Sequence, residues 1–159
     1  MTKLSNLESL IQMRPEWRKA GKTVVWTNGC FDLLHVGHVR SLQAAKRLGD
    51  ILIVGLNSDS SVRGLKGPGR PVVSEAERSE LLSALECVDH VVIFDDFTPE
   101  RLLGLLKPDI HCKGADYAPP SGKLIPERAL VEAYGGKVIF LPVIEGLSTT
   151  ILLNRITGA

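Results

Sequence analysis

The sequence predicts a single α/β domain built on a doubly wound parallel sheet flanked by helices. Three observations lead there. Continuous apolar runs, TVVW and ILIVGL among them, alternate with stretches of helical periodicity. Each apolar run ends in turn-forming or polar residues. The chain has 159 residues, 44% of them hydrophobic, enough for one domain with a good core. Apolar strands without in/out alternation are buried on both faces, and strands of that kind joined through helices form parallel sheets.

Residues 4–20 read as a helix, with Leu4, Leu7, Ile11 and Trp17 inward, so residues 1–20 form an N-terminal helical extension to a domain spanning residues 1–159. KTVVWTN is a β-branched run ending at Asn28-Gly29, a buried strand followed by a turn. Over residues 37–48, Val39, Leu42, Ala45 and Leu48 share a helical face, and Gly49 is the expected C-cap. DILIVGLNSD is the second strand. GLKGPGRP, residues 64–71, reads as a mobile loop. Ser74 and Glu77 form a capping-box pattern for a helix running to about Leu85. VDHVVIF is the third strand. Thr98-Pro99-Glu100 starts the next helix, and Pro108 ends it before the short strand DIHCKG. Residues 127–134 are helical, Gly135-Gly136 stops them, and KVIFLPV is the last strand. Ser148-Thr149-Thr150 opens a final helix ending near Ile156. There is no internal repeat and no linker.

Parallel sheets bind ligands at the carboxyl ends of their strands. Four polar clusters fall there: residues 28–32, 57–59, 113–117 and 145–150. Net charge is +1, which is no electrostatic footprint for nucleic acid or an anionic membrane, so any bound anion must be held by a local site. The first twenty residues lack the apolar core of a signal peptide, and no run approaches membrane-spanning length. Cys30, Cys87 and Cys112 fit no disulfide framework, so reduced thiols in a cytoplasmic protein are expected.

The stretch TNGCFDLLHVGH, residues 27–38, carries Cys30, Asp32, His35 and His38. A metal site would draw on Cys30, His35 and His38 with His111 or Cys112, but no paired Cys-x-x-Cys accompanies them. A nucleophilic Cys30 beside His35 needs an oriented base and an oxyanion hole, and no such set is visible. A phosphate cradle fits better. The helix that begins at Gly37 directly follows a strand, its free N–H groups and dipole favour an anion, and both imidazoles converge on that end. Gly37 leaves room for phosphate to approach the backbone.

CFDLLHVGH resembles the first signature of the cytidylyltransferase-like nucleotidyltransferases, and EGLSTT, residues 145–150, resembles their second. With TNGCFDLLHVGHVRSLQAAKRLGD, LNSDSSVRGLKGPGRPV, ALECVDHVVIF and PDIHCKGADY, the resemblance extends over nearly the whole chain. Within that superfamily it is most similar to the D-glycero-β-D-manno-heptose 1-phosphate adenylyltransferases in their stand-alone form, with no fused sugar kinase. A Rossmann-like fold is thereby implied, as is transfer of AMP from ATP to the sugar phosphate with release of pyrophosphate. The attacking phosphate is already ionised, so neither a general base nor a covalent intermediate is needed, and catalysis reduces to alignment and charge stabilisation.

The resemblance also implies roles. His35 and His38 donate to the α- and β-phosphates. Ser148, Thr149 and Thr150 hold the β/γ-phosphates, or form an ordinary N-cap; Glu145 and Gly146 belong to the same signature. Lys66, with Arg63, occupies the place of a mobile phosphate-binding segment, or is a solvated loop charge. Arg78 matches a basic family position, or makes a helix-surface salt bridge. Lys46 is left as a surface residue. Cys30 and Phe31 contact the nucleotide through backbone. Asp32 fixes the loop or accepts from a sugar hydroxyl, as do Asn28 and Asp59. Gly114 admits the adenosine, and Asp116 accepts from ribose or orients a basic neighbour. Mg²⁺ is expected to ride on the ATP phosphates with no dedicated carboxylate cage, and a homodimer is the family's common form. Related cytidylyltransferases carry an arginine ahead of the second signature, where this chain has Val143-Ile144; an apolar pair suits a purine and favours ATP over CTP. The rival readings are a cytidylyltransferase acting on glycerol 3-phosphate or another small alcohol phosphate, and a non-catalytic nucleotide-binding module.

Overall fold

The computed structural model describes residues 2–120 and 122–158. In chain order its elements are α1 (Leu7–Lys19), β1 (Val24–Gly29), α2 (Val36–Lys46), β2 (Ile51–Asn57), α3 (Asp59–Lys66), α4 (Glu75–Ala84), β3 (His90–Phe94), α5 (Glu100–Leu106), β4 (Ile110–Gly114), α6 (Arg128–Ala133), β5 (Lys137–Leu141) and α7 (Thr149–Thr157). A 3₁₀ turn, Ala115–Tyr117, follows β4. The five strands form one parallel sheet in the order β3-β2-β1-β4-β5.

The sheet has a core on each face because successive side chains of a strand point opposite ways. Val25, Leu52, Val54 and Leu56 pack with Leu42 and Ala45 of α2 and Leu82 of α4. Val24, Trp26 and Ile53 pack on the other side with Leu10 of α1, Leu102, Leu103 and Leu106 of α5, and Val131 of α6. A central strand lined on both sides by helices has no polar face to spare, which is why β1 and β2 read as unbroken apolar runs.

The order reverses between β1 and β4, and there the sheet opens. β1 pairs with β2 along its full length, from Val24↔Ile51 to Gly29↔Leu56. With β4 it pairs only at Val25↔Ile110 and Trp26↔His111. Both strands run on past that rung, so their carboxyl ends border a crevice at the topological switch point.

Three expectations are corrected. Leu4 is not inside a helix: it forms a lone bridge with Val91 at the sheet edge and is 44% exposed. The helix starts later, where the Asn6 side chain accepts from the Ser9 amide at 2.8 Å. Residues 64–66 are not loop but the last turn of α3, whose Ser58 cap accepts from the Ser61 amide at 3.2 Å. Gly49 is not a left-handed C-cap; Arg47 caps α2 in a right-handed conformation. Gly49 is small because a Cβ there would lie 2.7 Å from Val25 Cγ2 and 2.8 Å from the Thr23 carbonyl oxygen. Gly49→Ala is therefore expected to destabilise the fold by about 1–3 kcal/mol through overpacking, read as a lower urea midpoint with unchanged slope.

Candidate active site

A cavity of about 650 Å³ occupies the crevice. Every strand end contributes to its lining: Asn28 from β1, Asn57 from β2, Phe97 from the segment after β3, Lys113 from β4, and Ser148 beyond β5.

The histidines are fixed by the helix they precede. His35 is the N-cap of α2, and its Nδ1 accepts the Gly37 N–H at 3.1 Å. His38 Nδ1 accepts the His35 N–H at 3.3 Å. The two rings stack with centroids 3.8 Å apart. Burial pushes the His35 pKa down; burial and then the neighbouring His35 push His38 down to about 4. Both rings are therefore neutral at pH 7. Because each Nδ1 accepts a backbone N–H, the single proton of each ring sits on Nε2. The pair thus offers two Nε2–H donors at the border of the cavity, at a helix start whose Gly37 amide is already taken by His35.

Gly37 makes this arrangement possible in a way the sequence did not show. A Cβ there would lie 2.8 Å from the His35 ring. The space it leaves is taken first by that imidazole. Phe31 is held at φ +46°, and its ring meets His38 edge-on at 5.3 Å. The second helix start lies alongside: a Cβ on Gly37 would stand 3.5 Å from Leu147 Cβ, one residue before the cap of α7. Ser148 Oγ caps α7 by accepting from the Ile151 amide at 3.0 Å, so the ordinary N-cap expectation holds for its oxygen. Thr149 and Thr150 line the cavity at the first turn of α7, where amides have no intrahelical acceptor. Gly146 turns the chain into this helix at φ +74°.

Two charged residues are organisers. Asp32 is 1% exposed and accepts from Val72 N (2.9 Å), Val73 N (2.9 Å) and Arg70 Nε (2.6 Å). Burial pushes its carboxyl up, but the Val73 and Val72 amides and the Arg70 guanidinium outweigh that and hold it below the usual carboxylate range. It therefore fastens the segment after α3 across the site. Arg78 is neither at the cavity surface nor on a helix surface. It is 1% exposed and donates to the carbonyls of Cys30 (2.6 Å), Asn57 (2.8 Å) and Val73 (2.9 Å) and to Asp59 Oδ1 (2.8 Å). Its substrate-contact role is corrected to tying the ends of β1 and β2 together.

Of the other expected residues, Asn28, Cys30, Phe31 and Lys66 line the cavity, with Lys66 at the exposed end of α3. Asn28 Oδ1 is taken by the Trp26 indole N–H at 3.0 Å. Burial pushes the Cys30 thiol up, against nearby Lys66, Arg78 and Arg70, the opposite of an activated thiolate. Arg63, Gly114, Asp116, Glu145 and Gly146 are not among the lining residues. Asp116 faces Lys123 at 3.5 Å, and a Cβ on Gly114 would meet Asp116 Oδ1 at 2.5 Å; Gly114 makes room for that carboxylate. Lys46 bonds Asp89 and the Asp50 carbonyl, away from the site. The apolar pair Val143-Ile144 does line the cavity. Sequence reasoning missed Arg70 and Glu127 and gave Lys113, within its 113–117 cluster, no role of its own; their signal lies in burial and pairing that only the fold creates.

Among the described residues no group of three or more His, Cys, Asp or Glu side chains is arranged to hold a metal ion. The two buried carboxylates at the cavity are engaged, Asp32 as above and Glu127 with His111 and Lys113. This donor set fits a cation carried in by a phosphate ligand better than a resident one. No helix of the described residues is long and apolar enough to cross a membrane.

Residues 26–154 match the family described as cytidylyltransferase-like. The chain is 53% identical over 155 residues to "Bifunctional protein HldE" of Syntrophotalea carbinolica, covering 98% of this chain and 31% of that protein. It is 50% identical over 157 residues to the protein of the same name from Geobacter metallireducens, with 99% and 31% covered. The chain thus spans about a third of the length of the curated relatives it matches. Among solved structures, the lipopolysaccharide core biosynthesis protein from Thermoplasma volcanium matches with a TM-score of 0.62 and 28% identity, over 78% of this chain and 98% of that one.

Two predictions arise. Arg78→Met removes the guanidinium donor from three carbonyls and from the Asp59 carboxylate, which keeps only the Glu75 amide, and should cost about 3–5 kcal/mol, read by urea unfolding. His38 has a folded pKa of about 4 against 6.5 unfolded, so between those values the unfolded chain binds more protons and stability falls as pH drops from 6.5 to 4. One such group contributes at most about 1.4 kcal/mol per pH unit. Tm should fall across that window, and His38→Asn should make the fall shallower; an unchanged slope in the variant would count against a neutral, buried His38.

Proposed function

The chain belongs to the cytidylyltransferase-like family, and from that premise we propose that it transfers AMP from ATP to D-glycero-β-D-manno-heptose 1-phosphate, forming ADP-heptose for surface polysaccharide. The observation that carries this reading is the meeting of two helix N-termini at the switch point, with the neutral His35–His38 pair at one and Ser148–Thr150 at the other. Helix starts and neutral N–H donors attract phosphate oxygens and leave them hydrogen-bonded without supplying a nucleophile or a base.

In this reading an oxygen of the sugar phosphate attacks the α-phosphorus of ATP. A new P–O bond forms as the bond to the β-phosphate breaks, and pyrophosphate carries away the electron pair. His35 and His38 donate from Nε2 to the α- and β-phosphates. The Thr149 and Thr150 amides and hydroxyls receive the β/γ-phosphates, with Lys66 at the rim. Asp32 and Arg78 act one step removed, keeping the walls in place. Mg²⁺ carried by the ATP phosphates would neutralise part of their charge, with no side-chain cage from this chain needed to hold it. Val143 and Ile144 offer the base an apolar wall, which supports a purine. The description of one structural neighbour, a lipopolysaccharide core biosynthesis protein, supports a product for surface polysaccharide; the heptose acceptor rests on the resemblance of the sequence. A cytoplasmic homodimer is the form this reading expects from the family.

The test is pyrophosphate release with ATP or CTP, each offered heptose 1-phosphate or glycerol 3-phosphate. Release with ATP and the heptose is expected. Release only with CTP and glycerol phosphate would replace the substrates, and none with any pair would leave a binding module. His35→Ala or His38→Ala should lower kcat by roughly 10²-fold or more with the fold intact, while Cys30→Ser keeps most activity; near-normal turnover in both histidine variants would remove them from the chemistry.

A further inference from the structure

The proposed reaction, on which this inference rests, brings two anionic phosphates together, and the acceptor's phosphate needs a cation of its own to approach the α-phosphate of ATP. Three basic side chains line the cavity: Lys66, Arg70 and Lys113. Arg70 is committed to Asp32 by a direct hydrogen bond of 2.6 Å. Lys66 stands on the exposed end of α3. Lys113 leaves β4, the strand that borders the crevice opposite β1, and its side chain is 15% exposed.

Lys113 sits between a buried carboxylate and an aromatic ring. Its Nζ is 3.5 Å from Glu127 Oε1 and 4.2 Å from the centroid of the Tyr117 ring. The same Glu127 oxygen pairs with His111 Nε2 at 2.8 Å. Glu127 is 2% and His111 0% exposed. A buried carboxylate and imidazole are costly to place at the base of a cavity. Glu127 stands at the start of α6, yet its side chain makes no capping bond there. It turns inward instead. At 3.5 Å its contact with Lys113 is longer than a good hydrogen bond, so the ammonium keeps its donors for something else in the cavity it lines.

We propose that Lys113 binds the phosphate of the acceptor, and that the buried Glu127–His111 pair is the positioning element that aims it. Lys113 is then a substrate-contacting residue on the acceptor side, as the histidine pair is on the ATP side. Glu127 acts only through Lys113.

Steady-state pyrophosphate release by the full chain, with ATP and heptose 1-phosphate varied one at a time, separates the two sides. Lys113→Met is expected to raise KM for the sugar phosphate at least tenfold, leave KM for ATP within about twofold and keep the parent Tm. Lys113→Arg should recover part of the loss. Glu127→Gln, where it folds, should raise the same KM several-fold; the Lys113 variants carry the test if it does not fold. A rise in KM for ATP instead of the acceptor, or no change in either, would overturn the proposal while leaving the reaction standing. A parent protein that turns over no substrate pair would remove the reaction and this assignment with it.

Discussion

The parting of β1 from β4 is the constraint on which the rest depends. A parallel sheet satisfies its backbone by pairing neighbours, and here pairing stops at Trp26↔His111 while both strands continue. Around this crevice, backbone groups at and beyond the strand ends are paired by side chains. Arg78 donates to the Cys30 and Asn57 carbonyls. Asp32 supplies an acceptor for the Val72 and Val73 amides. The cavity is thus a gap in a hydrogen-bonded sheet, with Arg78 tying the β1 and β2 ends beside it and Asp32 fastening the segment after α3.

Charge then divides into groups that hold the site and groups that face it. Asp32 and Arg78 are nearly inaccessible and fully engaged, so they contribute shape. The histidines are different. Burial lowers both their pKa values, and the stacked His35 adds to the lowering at His38, so the pair stays neutral. A neutral imidazole with Nδ1 occupied is a directional donor whose orientation is set before any ligand arrives, and such preorganisation is where phosphoryl-transfer sites gain most. Gly37 is the small residue that lets the His35 ring fold back onto its own helix start.

Much of this was legible in the chain. The strands were, because apolar runs such as ILIVGL admit few other readings. So was the placement of the histidine cluster, because a strand followed by a helix start near Gly37 puts both rings at the carboxyl edge of the sheet. Helix α3 was hidden: DSSVRGLK buries only Ser61 and Val62, and glycines beside it look like loop. Gly49 was misread because a cap and a close approach leave the same letter in the sequence. Arg78 looked like a surface charge on a helix. Its partners Cys30 and Asn57 lie 48 and 21 residues away, and nothing local marks a guanidinium for burial. Lys113 fell in a cluster the sequence marks, but its pairing with Glu127 was hidden for the same reason: it spans a turn and a helix start.

In the proposed function, His35 and His38 stand as neutral Nε2–H donors to a phosphate chain. This role is tested most directly by side-chain ¹⁵N spectra of the histidine-labelled protein at pH 7, with and without a non-hydrolysable ATP analogue. The prediction is that His35 and His38 are both in the Nε2–H form in the free protein, and that the analogue shifts their Nε2 resonances while leaving His90 and His111 in place. Nδ1–H tautomers, imidazolium signals in the free protein, or shifts confined to His90 and His111 would contradict it.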